Sequence, residues 1–186
     1  DQRFLVVYAS NTTAGNRLLV RDLNDPRGQL VNVVDDETSD ISVIFSQDGM
    51  LYALTNRAAP NSRLVKFNLQ APTAWQDVIP ESEHVLDASA VGGYFFAQYM
   101  VDAIARIEQY SLDGQRLREI ELPGPGDASG FRGKAKDTVA YYSFQNYKTP
   151  STLFQPELAS GNSSEYRASK ADFDSAGYVS KQVFYN

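Results

Sequence analysis

Two kinds of short apolar segment alternate along this chain of 186 residues with a nearly constant period. The first kind is rich in leucine, and its four copies start 46, 43 and 46 residues apart, at Arg17–Leu23, Arg63–Leu69, Arg106–Leu112 and Thr152–Leu158. The second kind is rich in aromatic residues and precedes each copy of the first, at Phe4–Tyr8, Met50–Thr55, Tyr94–Tyr99 and Thr138–Phe144. Self-similarity at such a period indicates a repeat architecture, in which each repeat is one supersecondary unit.

Each repeat contains further strand candidates. One follows the leucine-rich segment, at Leu30–Val34, Trp75–Ile79, Arg116–Leu122 and Ser164–Arg167. Another precedes the aromatic segment, at Ile41–Phe45, Val85–Ala90 and Asp127–Phe131. Turn-forming residues favour tight antiparallel reversals between the segments, at Gln47-Asp48-Gly49, Val91-Gly92-Gly93 and Lys136-Asp137. Four strands per repeat of about 40 to 50 residues is typical of a β-propeller blade.

We therefore predict an all-β chain, a single propeller fragment built of four-stranded antiparallel meanders. Its blades are expected at residues 1–35, 41–80, 85–123 and 127–168. A β-sandwich also has short, regularly spaced strands, but it has no reason to keep two kinds of segment in phase over four cycles.

The first repeat lacks an innermost strand, while Tyr178–Tyr185 is a strand candidate left over at the other end. Two arrangements fit this pattern. The chain is either a partial arc of a larger propeller, or Tyr178–Tyr185 pairs with Phe4–Tyr8 and closes a four-bladed ring. A closed ring would be a stand-alone module that binds a ligand or a protein.

Composition agrees with β structure and limits the partners. Aromatic residues make up 12% of the chain, with eleven Tyr and ten Phe, which suits half-buried strands. The net charge is −6 and the cations are scattered, so we expect neither nucleic acid nor a membrane as a partner. No apolar run approaches the roughly 20 residues of a membrane helix, and we expect a soluble chain. The absence of Cys leaves the compartment open between cytoplasm and periplasm.

No constellation for covalent catalysis is visible in the sequence. The single histidine, His84, lies in a polar run and is interpreted as an exposed loop residue. The hydrolase motif Gly-x-Ser-x-Gly is absent, because Gly126–Gly130 has the wrong spacing and a strand context. We therefore predict no catalytic residue in this chain.

Cofactor and metal sites are not predicted either. The glycine-rich segment Gly124–Lys134 ends in Gly133-Lys134, as a phosphate-binding loop does, but it has no Gly at position 128. Ala135 follows the lysine in place of Ser or Thr, and no helix pattern comes after it. The acidic residues Asp35, Asp36, Glu37 and Asp40 lack the spacing of a calcium loop and are interpreted as a solvated turn.

Several short stretches resemble, in order along the chain, parts of the propeller of the prolyl oligopeptidase family. They are Thr55–Leu64 (TNRAAPNSRL), Trp75 with Ile79-Pro80-Glu81, Tyr99–Asp102, Ser129-Gly130-Phe131 with Lys136-Asp137, Tyr142-Ser143-Phe144 with Pro150, and Gln182–Tyr185. The resemblance runs from Leu51 to the end and is looser over residues 1–50.

This resemblance implies about the last four blades of a seven-bladed propeller, one that is not sealed between its first and last blades. In the family the propeller caps an α/β-hydrolase domain of the same polypeptide, a serine peptidase that cleaves peptides after proline. The propeller is expected to keep folded proteins away from the active site. The implied partners are the hydrolase domain and proline-containing peptides, and this chain alone is expected to be inactive. An open arc also exposes blade edges, so we expect self-association.

The resemblance also implies a peptide-contacting site. In some members the turn after the strand that matches Phe4–Tyr8 presents an Arg, and then a Cys, to the peptide-binding cavity. Ser10 and Thr13 stand near those places here. Ser10 cannot supply the planar pair of donors of an arginine. We therefore expect Ser10 and Thr13 to contact a peptide only through hydroxyl or backbone groups.

Overall fold

The computed structural model describes residues 3–170 and 177–184, which form fifteen β-strands in four antiparallel sheets. The first sheet contains β1 (Phe4–Ala9), β2 (Arg17–Asp22) and β3 (Val31–Val34). The second contains β4 (Ile41–Gln47), β5 (Met50–Thr55), β6 (Arg63–Asn68) and β7 (Ala71–Ile79). The third contains β8 (Leu86–Val91), β9 (Tyr94–Val101), β10 (Ile104–Ser111) and β11 (Arg116–Glu119). The fourth contains β12 (Asp127–Gly130), β13 (Tyr142–Gln145), β14 (Thr152–Pro156) and β15 (Ser163–Arg167).

Every sheet is a meander, in which strands that follow each other in sequence are neighbours in space. In the first hairpin Phe4 lies opposite Asp22, and Ala9 lies opposite Arg17. The described residues contain no helix, and thus none that is long and apolar enough to cross a membrane. The predicted all-β class and the four-stranded antiparallel meanders are confirmed, with three strands in the first sheet.

Three hairpins turn through two residues that both have positive φ, as a type I′ turn requires. The turn-forming pairs and their φ angles are Asp48 (52°) with Gly49 (82°), Gly92 (60°) with Gly93 (81°), and Asp102 (50°) with Ala103 (62°). The first two turns were predicted from their glycines. The third has no glycine and was not predicted.

One aromatic strand is shorter than predicted. The segment predicted at Thr138–Phe144 becomes β13, which begins only at Tyr142. The backbone of the preceding loop bonds to the end of β8 instead, since the Gly92 N–H donates to Lys134 O and the Gly133 N–H donates to Ala90 O. These bonds hold the loop away from the β12–β13 ladder.

The strand predicted at Tyr178–Tyr185 is not formed over residues 178–184, and Tyr185 lies outside the described residues. The side chain of Gln182 donates instead to Asp102 O, which fixes this tail on the turn between β9 and β10. Within the described residues β1 pairs as a strand only with β2, and its Tyr8 hydroxyl accepts from the Val43 N–H of β4. The tail therefore does not complete the first sheet, as closure into a four-bladed ring would require.

The chain divides into two compact units, residues 1–88 and 89–186. The core of the first unit joins the first and second sheets through their facing apolar side chains, which are Leu18, Val20, Val33, Val34, Ile41, Leu51, Ala53, Val65 and Phe67. Burying a side chain such as Leu18 completely is worth about 1.5–3 kcal/mol. The apolar residues of the strands thus pack the first and second sheets against each other.

The core of the second unit joins the third and fourth sheets in the same way and is richer in rings. Its buried members are Val91, Phe96, Ala105, Ile107, Ile120, Ala128, Phe131, Ala140, Tyr142, Phe144 and Leu158. A buried hydrogen bond also connects the third sheet to the segment after β14, because the side-chain amide of Gln109 donates to Leu158 O at 2.7 Å.

Candidate functional site

The loop between β1 and β2, residues 10–16, carries both predicted peptide-contacting residues. Ser10 and Thr13 are exposed. The Ser10 Oγ lies 2.9 Å from Thr12 O and 2.7 Å from Gly15 O, so its proton is donated within the loop. Thr13 makes no side-chain hydrogen bond within the described residues. The structure thus brings the two residues into one loop and leaves the Thr13 hydroxyl available, while their contact with a peptide stays a prediction.

Gly15 fixes the path of this loop. It is buried, its φ is +77°, and a Cβ at this position would lie only 2.0 Å from Glu37 O. Its N–H donates to Asp40 Oδ1 at 2.9 Å. The neighbouring Asn16 side chain both donates to Ile41 O at 3.1 Å and accepts from the Ile41 N–H at 3.0 Å. The loop is therefore anchored to the segment that leads into the second sheet.

The carboxylate of Glu37 strengthens this anchor at the other side of the loop. It accepts from the Asn11 N–H at 2.7 Å and from the Asn11 side-chain amide at 2.8 Å. It also pairs with the Nε of Arg17 at 3.2 Å. One acidic side chain thus fixes both ends of the loop.

The turn after β5 joins the same structure. Arg57 makes a two-pronged ion pair with Asp36 at 2.9 and 2.8 Å. Hydrogen bonds from Arg57 and then Thr38 hold the pKa of Asp36 well below its ordinary value. The Asn56 side chain accepts from the Asp40 N–H at 2.7 Å and donates to the Asp40 carboxylate at 3.1 Å. We call residues 10–16, 35–40 and 55–57 the first-unit loop surface.

These contacts explain the acidic cluster at Asp35, Asp36, Glu37 and Asp40. Three of its four carboxylates accept hydrogen bonds from neighbouring segments, and they join loops together. Within the described residues no group of three or more His, Cys, Asp or Glu side chains could hold a metal ion.

His84 is half-buried, which differs from the exposed position expected. Its Nε2 lies 3.5 Å from the Glu83 carboxylate. The hydroxyl of Ser82 bonds to the backbone of His84, at 3.1 Å from the carbonyl oxygen and 3.3 Å from the nitrogen. This hydroxyl is therefore not paired with the imidazole, and nucleophilic attack by a serine requires such a base.

The second unit contains a cavity of about 440 Å³ that the sequence did not reveal. Four separate segments line it, residues 102–104, 125–127, 145–147 and 180–182. Asn146 donates to Pro125 O at 2.9 Å and fixes two of these segments, while Tyr147 stands fully exposed beside them. No spacing pattern links segments so far apart, so this cavity could be found only from the structure.

A buried polar cluster in the third sheet was also missed. Glu108 is 6% exposed and accepts from the Tyr110 hydroxyl at 2.8 Å, while Arg116 and Arg106 lie 3.1 and 3.5 Å from its carboxylate. Burial opposes ionisation of Glu108, but hydrogen bonds from Arg116 and Tyr110 outweigh it and lower the pKa of Glu108. Arg106 also lies over the ring of Tyr99. The arrangement satisfies a buried charge, which is a structural role.

Comparison with known proteins decides the family. The sequence profile described as "Prolyl oligopeptidase, N-terminal beta-propeller domain" matches residues 1–169. The chain belongs to this family. The first-unit loop surface lies inside the matched region of the propeller, although the resemblance was looser over its residues 10–16 and 35–40.

Two curated relatives show how much of a protein the propeller chain represents. It is 44% identical over 187 residues to the prolyl endopeptidase of Elizabethkingia meningoseptica, with 100% of this chain and 26% of the relative covered. It is 28% identical over 153 residues to the prolyl endopeptidase of Dictyostelium discoideum, with 75% of this chain and 20% of the relative covered. The chain thus spans about a quarter of the length of these relatives, and the part it matches is the propeller.

Comparison with solved structures leads to the same family. A structure from a study of two prolyl endopeptidases and their inter-domain dynamics superposes with a TM-score of 0.87 at 26% identity, covering 100% of this chain and 28% of that one. Prolyl oligopeptidase B from Galerina marginata, without ligand, also gives 0.87, at 24% identity over 98% of this chain and 28% of that one, and supports the fold alone.

Proposed function

We propose that this propeller is the gating part of a serine peptidase that cleaves peptides after proline. The match of residues 1–169 to the propeller domain of prolyl oligopeptidases carries the proposal. The nucleophile, base and acid are supplied by an α/β-hydrolase domain of the same polypeptide. The propeller restricts which peptides reach that domain, and its contribution is steric.

The Ser82–His84 geometry supports the assignment of catalysis to the hydrolase domain, because the Ser82 hydroxyl bonds to the His84 backbone and the imidazole lies beside Glu83. The purified chain should not turn over a chromogenic Gly-Pro anilide, and serine-directed inhibitors should not label it. Turnover that copurifies with the chain and disappears when one of its serines is replaced would refute the proposal.

A chimera tests the gating role directly. This chain would replace the matching region of the Elizabethkingia meningoseptica enzyme, with which it aligns over its full length. The chimera should cleave short proline peptides and leave a folded protein with exposed Pro-X bonds intact. A chimera that cleaves both substrates at similar rates would show that the propeller excludes nothing.

We also propose that the loop at residues 10–16 contacts the peptide through the Thr13 hydroxyl and the Ser10 backbone. The rigid anchoring of this loop by Gly15 supports the proposal, because contacts made by a fixed loop lose little entropy on binding. In the chimera, Thr13→Ala should raise KM about two- to fivefold with kcat nearly unchanged. Ser164→Ala, an exposed hydroxyl on β15, is the matched control. Equal KM values for both variants would contradict the contact.

A further inference from the structure

A cavity in the first unit, lying on the outer strands β3 and β7, has no part in the gating proposal. Its volume is about 430 Å³, and its lining includes Val33, Asp35, Arg57, Arg63 and Trp75. We call it the Trp75 groove. Its walls combine an aromatic ring, apolar side chains and charges of both signs.

Trp75 provides a fixed surface in this groove. The indole N–H donates to Pro72 O at 2.8 Å, and the ring packs against Phe67 with 6.2 Å between ring centroids. The side chain is half-buried, so part of it faces the groove. A rigid aromatic ring loses little side-chain entropy when a ligand covers it.

The two arginines of the groove are already neutralised. Arg57 is held by the Asp36 carboxylate at 2.8 Å, and Arg63 is held by the Asp77 carboxylate at 2.9 Å. Asp35 accepts no hydrogen bond within the described residues. The groove together with these two ion pairs therefore has a net negative charge, located at Asp35.

The Nε of Arg63 has no acceptor among the described residues, but it is fully buried and cannot be reached from the groove. The groups that the groove offers to a ligand are therefore the Asp35 carboxylate and the Trp75 ring.

We propose that the Trp75 groove binds an extended, lysine- or arginine-containing peptide segment of a partner protein. The cation of that segment pairs with Asp35 and lies against the Trp75 ring, because both the carboxylate and the π-face attract a positive charge. An acidic side chain is disfavoured, since the nearby arginines are neutralised and Asp35 would repel it.

Fluorescence titration tests this proposal, because Trp75 is the only tryptophan of the chain and its emission reports on the groove. The probes are the blocked peptide acetyl-Ala-Ala-Lys-Ala-Ala-amide and its two analogues with norleucine or glutamate in place of lysine. We expect the lysine peptide to bind about three- to tenfold more tightly than the norleucine analogue. The glutamate analogue should bind more weakly still.

Asp35→Asn should bring the affinity of the lysine peptide down to that of the norleucine analogue. Asp87→Asn, which removes the same charge from an exposed position on β8, should change it less than twofold. Raised salt should weaken only the lysine peptide. No binding of the lysine peptide, tighter binding of the glutamate analogue, or equal loss in both variants would overturn the proposal.

Discussion

The stack of aromatic rings in the second unit makes a quantitative prediction about Phe131. This side chain is fully buried between two rings, with centroids 4.7 Å from Phe96 and 4.7 Å from Tyr142. Tyr142 continues the stack to Phe154 at 5.4 Å. The four rings join the third and fourth sheets, so the centre of the stack should be sensitive to replacement.

Each stacked aromatic pair is worth about 0.5–1.5 kcal/mol beyond the apolar area that it buries. Phe131→Leu removes two such pairs and keeps most of the apolar volume, so it should lower the free energy of unfolding by about 1–3 kcal/mol. Phe131→Ala also leaves a cavity, and its cost should rise to about 3–5 kcal/mol.

The backbone conformation at Phe131 predicts an unusual order of stability for glycine and alanine at this position. Its φ is +56°, in the left-handed region where a residue with a Cβ is strained. In an ordinary strand, glycine is less stable than alanine by about 0.5–1 kcal/mol. Here the left-handed conformation costs alanine about 1 kcal/mol. Phe131→Gly should therefore be no less stable than Phe131→Ala.

Urea denaturation followed by far-ultraviolet circular dichroism measures these differences, and near-ultraviolet dichroism reports the loss of the stack. Val139→Ala, at a side chain 40% exposed, is the control and should cost less than about 1 kcal/mol. A Phe131→Leu loss no larger than that of Val139→Ala would refute the contribution of the rings. A Phe131→Gly protein clearly less stable than Phe131→Ala would refute the argument from φ.

Three further results are expected. Gly15→Ala should lower the free energy of unfolding by more than about 2 kcal/mol, of which about 1 kcal/mol is backbone strain and the rest is the clash with Glu37 O. Gly93 has a similar φ but open space around it, so Gly93→Ala should cost only about 1 kcal/mol in the same urea assay. Because the pKa of Asp36 is lowered by Arg57, the stabilisation from that pair is present above about pH 4 and is lost as the pH falls below it, so melting scans across acidic pH should show a shallower decline for Asp36→Asn. Light scattering of the purified chain should show mass increasing with concentration, and a constant monomer mass would contradict self-association through exposed sheet edges.

The fold was largely predictable from the sequence because the period of the repeats was visible. The segments beginning at Met50 and Arg63 appear as β5 and β6, with Thr55 opposite Arg63. The pairs Asp48-Gly49 and Gly92-Gly93 identified two of the three type I′ turns. The strand predicted at Tyr178–Tyr185 was wrong over residues 178–184, since strand-favouring residues cannot by themselves show whether a pairing partner is available.

The candidate site was predictable only in part. Ser10 and Thr13 could be assigned to one loop by resemblance, but the ties that fix this loop come from residues about 25 positions away, such as Asp40 with Gly15. The acidic run was interpreted as a solvated turn, and that Asp36 pairs with Arg57 could not be known before the second sheet was placed. Long-range pairing of polar groups leaves little trace in local sequence patterns.

The loop between β1 and β2 separates the residues that hold it from those that it displays. Asn11, Gly15 and Asn16 anchor the loop, whereas residues 12–14 at its tip point outward. Residues 12–14 can therefore be substituted, as in the hypervariable loops of an antibody, while the anchoring residues stay unchanged. A short foreign sequence grafted at residues 12–14 would therefore be held at a position that the anchoring residues already define.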